Sequence, residues 1–464
     1  MRSIAICEID GEGGGMDPIE GIEDYVARNR ARHEQELARW VGMPSVSATG
    51  EGMPEAAEHA KGLLAASGLA PRLVETGGWP LVVGHAPGPE GSPHAVIYGH
   101  YDVQPAGPLE QWNSPPFEAA IRDGRIYGRG TGDNKGQHFA QLLAVRALRA
   151  SEEGLPCSVT VLLDGEEEIG SPHLAATLAE MRAELDADVA VFSDGPVHDS
   201  YEPTVSLGVR GAVSFEITVR GADTALHSGN WGNVAANPAW ELVWLLSTMR
   251  ASDGRILVEG YDVATTLTAA ERAALGALPV ALQELLAGVG LDRMDACGDA
   301  GVNERLALPT FTINSLTCLD NQEHRSVIPS VAIARCDMRL ACGQRTATVV
   351  DAVRKHVADR LPHAEVAFKA MMEPSRTLPD APYAQAVLDA VSATADKPAL
   401  FVPAMGGSLP IAGITDGLGL PCYGIPLANV DERNHAPNEN FELARFHAGI
   451  VTAAAVLRGI GGAA

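Results

Sequence analysis

The chain is short of positive charge. It carries 34 Lys and Arg against 59 Asp and Glu, a formal net charge of −25. An acidic surface repels phosphate backbones and anionic lipid headgroups, so neither nucleic acid nor a membrane is an expected partner. Its seven cysteines are scattered from Cys7 to Cys422 without a C-x-x-C pair. That argues against a disulfide framework and a cysteine-based zinc site, and fits a cytoplasmic protein. No apolar run approaches the ~20 residues of a spanning helix. The N-terminus lacks the basic stretch and long apolar stretch of a signal peptide. There is no internal repeat. Met1–Gly15, with its GEGGG run, reads as disordered, and Met16 is an alternative start.

What is present suits a soluble protein of several folding units: 464 residues, 46% apolar and 20% charged. Helical spacing marks Pro18–Val41, Glu55–Ser67, Asn134–Ala150 and Pro172–Leu185. Between them lie short apolar strands at Arg72–Thr76, Leu81–His85, Ala95–Tyr101, Ser158–Leu163 and Asp188–Phe192. Strands alternating with helices predict an α/β fold with a mostly parallel sheet. The pattern then changes. VSFEITVR at Val213–Arg220 and AIARCDMRL at Ala332–Leu340 alternate as half-buried antiparallel strands do. Helices are expected at Pro238–Arg250 and Ala269–Leu291. After Pro379 the first style returns, with helices at Tyr383–Ala395 and Glu442–Gly459. The expected organisation is a first part at 1–205, an inserted α+β domain at 206–378, and a second part of the first domain at 379–464.

Ligands of parallel sheets gather at the carboxyl ends of strands. His100, the run Glu166-Glu167-Glu168 and Asp194 each follow a predicted strand end. His100 and Asp102 form a His-x-Asp pair, whose carboxylate can fix the imidazole. Asp133 lies in the glycine turn GRGTGDNKG. That turn could also suggest phosphate binding, but it lacks the G-x-x-x-x-G-K-[ST] spacing and carries an acid. The three glutamates could equally open a solvated helix. A metal site would relieve their repulsion: one carboxylate binds a cation while a neighbour serves as general base. His435, in the loop VDERNHAPNEN, supplies a second imidazole. Two His and three carboxylates with a spare Glu suit two close divalent ions, zinc first, with manganese or cobalt open.

GHYDVQP (99–105), GRGTGDNKG (128–136), EEEIGS (166–171), SDG (193–195), LHSG (226–229), GGSLP (406–410) and His435 fall in a familiar order. They resemble the di-zinc metallopeptidase superfamily of carnosinase-type dipeptidases, aminoacylase, acetylornithine deacetylase and glutamate carboxypeptidase. The long insert is closest to the carnosinase-like branch. The resemblance implies a catalytic domain interrupted by a lid and dimerisation domain. It also implies that His100 and Asp194 bind one metal, Glu168 and His435 the other, and Asp133 both. Asp102 would orient His100, Glu167 would be the general base, and the Asp133–Asn134 peptide would be cis. His227 would stabilise the oxyanion, in dimeric members at the partner subunit's site. Arg339 would hold the substrate carboxylate, although an exposed strand arginine is an alternative reading. The Gly406-Gly407-Ser408 turn would contact the same carboxylate. In the family, Asp at the position of Asp194 tends to accompany dipeptidases and aminopeptidases, whereas Glu tends to accompany deacylases. The implied activity is hydrolysis of dipeptides or other small peptides with a free amino terminus, by a homodimeric enzyme with a hinge near 206 and 378. N-acyl-amino-acid deacylation is the alternative.

Overall fold

The strand His94–His100 lies inside an eight-stranded sheet. The computed structural model describes residues 18–261, 267–280, 282–295, 301–319 and 326–463. The expectations for Met1–Gly15 and for a start at Met16 fall outside these residues. Across the sheet the strands run Ala70–Val74, Leu81–Ala86, Ser158–Asp164, His94–His100, Val189–Phe192, Cys422–Gly424, Thr204–Ser206 and Leu400–Val402. The centre, from Ser158–Asp164 to Cys422–Gly424, is parallel. The flank at Ala70–Val74 and Leu81–Ala86 is antiparallel. A short connection through Gly77-Gly78 allows a hairpin there, whereas a parallel pair needs a longer crossover.

Alternation along the central strand builds two layers. Ala95 and Ile97 enter the core shared with helices Pro18–Val41, Met53–Ala66, Gly136–Ala150, Ala384–Ala393 and Leu443–Gly461. Val96 and Tyr98 enter the opposite core, with Leu174, Leu178, Met181 and Leu185 of helix Leu174–Leu185. Helix Leu443–Gly461 corrects one expectation, since by length and composition it could cross a membrane. Its apolarity has another use: Phe446, Ile450, Leu457 and Ile460 are buried against neighbouring helices of the core.

The inserted α+β domain is organised by a four-stranded antiparallel sheet, ordered Thr310–Cys318, Val331–Leu340, Gly211–Arg220 and Glu365–Met372. Val213, Phe215, Ile217 and Val219 form a separate core with helices Pro238–Ser247 and Thr346–Arg360. The single helix expected over Ala269–Leu291 is instead two, Ala269–Ala277 and Leu282–Gly288. Pro279 lies between them, and a proline inside a helix loses a hydrogen bond and clashes with the preceding turn. Leu275, Leu278 and Ala307 from this region pack with Leu400 and Val402, so the insert also touches the edge of the large sheet.

Candidate metal centre

Register explains why distant residues meet. His100 pairs with Asp164 on one side, and Tyr98 pairs with Phe192 on the other. The three strands are parallel, so the residues just beyond Asp164 and Phe192 emerge at the same edge as His100. Glu167, Glu168 and Asp194 are those residues.

His100 Nε2 lies 3.1 Å from Asp133 Oδ1 and 3.5 Å from Asp194 Oδ2. His435 Nε2 lies 2.9 Å from Asp133 Oδ2 and 3.2 Å from Glu168 Oε2. Asp133 thus turns one oxygen toward each imidazole. The result is two donor groups, His100–Asp133–Asp194 and Asp133–Glu168–His435, whose ligand atoms lie within 4.8 Å of one another in each group. Glu167 belongs to neither; its Oε2 is 4.0 Å from His100 Nε2. Glu166 faces elsewhere, accepting from Trp79 N and pairing with His173 at 2.7 Å.

The positioning contacts are mostly ones the sequence did not reveal. Asp102 lies beside His100 Nδ1, its backbone oxygen at 3.0 Å and its carboxylate at 3.3 Å. The same carboxylate accepts the backbone N–H groups of Glu167 and Glu168, so it ties both sides of the centre together. Gln104 donates from N and Nε2 to the Glu168 carboxylate. Asn134, after a cis Asp133–Asn134 peptide, donates to Ser193 O at 2.6 Å.

The glycine turn does bind an anion, and the anion is internal. Glu439 Oε1 accepts from the N–H groups of Gly130, Gly132 and Asp133, while Oε2 accepts from Arg129 at 2.6 Å. Gly130 has φ +88, a conformation glycine adopts without strain. Lys135, also part of the phosphate-loop alternative, is buried and donates to the carbonyl oxygens of Trp40 and Met43 at the end of the first helix. The only sequence signals for this internal use were an arginine in the turn and an acid shortly after His435.

Electrostatics explain what the centre needs. Burial pushes Glu167 well above the usual carboxylate range; His100 opposes this, and Glu168, Asp194 and Asp133 add to it. Burial and Asp133 push Glu168 up to about 7 and also raise Asp194. Burial would raise Asp133 too, but hydrogen bonds from His100 and His435 hold it well below its usual value. Asp133 and then Glu168 raise His435 to about 11. Glu432, packed against Gly132, is buried with neither carboxyl oxygen hydrogen-bonded. So much concentrated carboxylate, with nitrogen and oxygen donors in two groups sharing Asp133, fits two divalent cations.

The substrate-side candidates separate. Arg339 Nη1 donates to Ser408 Oγ at 2.8 Å, bringing strand Val331–Leu340 to the turn that contains Gly407. His227 is exposed at the end of the short strand Leu226–His227, and its Nδ1 accepts from Gly229 N. No hydrogen bond or ion pair joins it to the centre among the described residues.

A mixed α/β domain with an α+β insertion and a two-cation donor set defines a metal-dependent hydrolase fold, and sequence comparison agrees. Residues 96–459 match peptidase family M20/M25/M40, and the chain belongs to this family of metallopeptidases. It is 30% identical to the Beta-Ala-His dipeptidase of Homo sapiens over 356 residues, 74% of this chain and 70% of that one. It is 26% identical to a Cys-Gly metallodipeptidase of Saccharomyces cerevisiae over 384 residues, 78% of each. The structure of an M20 family metallo-carboxypeptidase from Sulfolobus solfataricus superposes with a TM-score of 0.85 at 28% identity, covering 92% of this chain and 99% of that one.

Proposed function

We propose that the protein hydrolyses the peptide bond of dipeptides, or of similarly small peptides with a free amino terminus. The observation that carries this reading is the pair of donor groups sharing Asp133, with Glu167 beside them outside both. His100 and Asp194 would hold one cation, Glu168 and His435 the other, and Asp133 both. Zinc is the proposed metal, because it accepts mixed imidazole and carboxylate donors. When bound, the cations supply Lewis acidity and lower the pKa of water. Glu167 takes the proton of the attacking water and passes it to the leaving amine. Asp102 keeps His100 in place and anchors the backbone of both glutamates. Arg339, with the Gly407-Ser408 turn, receives the substrate carboxylate, a geometry suited to a guanidinium.

His227 is the proposed oxyanion donor, acting across a homodimer. Support comes from its exposure and from an apolar surface on the insert. Trp240, Val243 and Trp244 of helix Pro238–Ser247 are exposed, with Ile313 and Leu316 of the edge strand Thr310–Cys318. Apolar patches and open sheet edges are commonly covered by another chain. A cytoplasmic setting is supported by Cys157, Cys318, Cys336, Cys342 and Cys422, all free thiols.

The test pairs metal analysis with a substrate panel of free dipeptides and N-acetylated or N-succinylated amino acids. Dipeptides should be preferred; preference for acylated amino acids would replace this reading with a deacylase. Glu167→Gln should retain metal and lose about 10²–10⁴-fold in kcat. Full activity in that variant would remove Glu167 from the mechanism. Mixing His227→Ala with Glu167→Gln subunits should partly restore activity if the site forms across a dimer and the subunits exchange.

A further inference from the structure

Arg210 is singled out by no motif. It stands where the chain leaves the short strand Gly208–Val209 and enters Gly211–Arg220, at the passage between the two sheets. Its Nε and Nη2 both donate to the carbonyl oxygen of Gly406, at 3.1 and 2.7 Å. The backbone repeats this connection: Met405 N donates to Gly208 O at 2.9 Å, and Val209 bridges to Met405. The carboxylate-binding turn is therefore built on the entry to the insert.

The hydrogen bonds orient that turn. In a planar trans peptide the C=O and the following N–H point in opposite directions. With Gly406 O fixed on Arg210, the Gly407 N–H must point away from that guanidinium. Among the described residues, the N–H groups of Gly406, Gly407 and Ser408 have no protein acceptor. Arg339 reaches the same turn through Ser408. Burial and then the charge of Arg339 lower the Arg210 pKa, with Asp337 opposing them. Asp337 pairs with Arg339 Nε at 3.2 Å. Two guanidinium groups and one neighbouring carboxylate leave positive charge beside a turn with N–H groups to offer.

We propose that Arg210 is a positioning residue for the substrate carboxylate: it fixes the Gly406–Gly407 peptide and adds a second positive charge to the subsite marked by Arg339 and Ser408. This rests on the reading that Arg339 receives a substrate carboxylate. Its consequence is selectivity: Arg210 should favour substrates ending in a free carboxylate over their neutral amides, while leaving bond cleavage largely to the metal centre.

The experiment compares each acid with its C-terminal amide on two scaffolds, a dipeptide and an N-acetyl amino acid. It uses wild type, Arg210→Gln and Arg210→Lys, with metal content measured for each. Wild type should prefer the acid. Arg210→Gln should reduce the acid-to-amide ratio of kcat/KM by about tenfold or more, mainly through KM for the acid. Arg210→Lys keeps the charge but loses the planar fork, and should restore part of the ratio. Equal losses on acid and amide, or an unchanged ratio, overturn the proposal; Arg210→Lys alone still decides it if Arg210→Gln does not fold. A wild type without preference for acids overturns it too. Preference for the N-acetyl scaffold, with the Arg210 effect intact, overturns only the dipeptidase reading. A wild type that cleaves neither scaffold overturns both.

Discussion

Asp133 can face two imidazoles because its backbone is held from behind. Glu439 gathers the N–H groups of Gly130, Gly132 and Asp133 and pairs with Arg129 in a fully buried contact. Removing one member of a buried ion pair leaves the other charge uncompensated, at a cost of about 3–5 kcal/mol. Glu439→Ala should lose that much stability in urea unfolding and bind metal more weakly, although Glu439 is not itself a proposed ligand. Unchanged metal affinity would show that Asp133 keeps its place without this support. Gly132 adds a steric condition: a Cβ there would stand 2.1 Å from Glu432 Oε2. The side chain that seats the residue shared by both donor groups lies far away in sequence, which is why motif reading reached Asp133 but not Glu439.

Helix Leu443–Gly461 joins the two ends of the large domain. It packs beside Gly136–Ala150, with Phe446 against Phe139 at 6.2 Å and Phe441 at 6.1 Å. Phe446→Ala should cost about 3–5 kcal/mol, seen as a lower unfolding midpoint; a near-wild-type midpoint would mean that the core closes around the gap. Much at this scale was legible. Apolar runs of strand length ending in His, Glu and Asp marked the sheet and the edge where chemistry gathers, because periodicity and strand ends are local properties. Less local features were missed. Nothing local distinguishes an apolar core helix from a spanning one, and Pro279 divides a stretch whose spacing is otherwise helical. The use of Lys135 is equally non-local, because its acceptors, Trp40 O and Met43 O, lie at and just beyond the end of a distant helix.

For the whole molecule, the metal centre links stability to pH. In the metal-free fold Glu168 is raised from its usual 4.5 to about 7, and His435 from 6.5 to about 11. Both bind protons more tightly folded than unfolded. The Glu168 contribution is lost as pH rises from 4.5 through about 7, and that of His435 as pH rises from 6.5 through about 11. Asp133 has the opposite sign, but its lowered pKa confines its effect to acidic pH. Burial lowers Lys135 to about 7, which opposes Glu168 and His435 only as pH rises above that value; those two together should still make chelator-treated protein melt lower at about pH 8 than at about pH 6. Added zinc should stabilise it more at the higher pH, because the cation takes the place of protons. Equal metal-induced shifts in thermal melts at the two pH values would contradict this linkage.

The internal clasp of Glu439 also has a consequence for biosynthesis. His100 and Asp133 leave the ribosome before the insert, but His435 and the carboxylate that seats the Asp133 backbone follow it. The insert, whose core lies within its own stretch of chain, can fold during the wait. A nascent chain stopped before residue 435 has neither the second imidazole nor the Glu439 clasp, so both donor groups stay incomplete until the segment after the insert has been made.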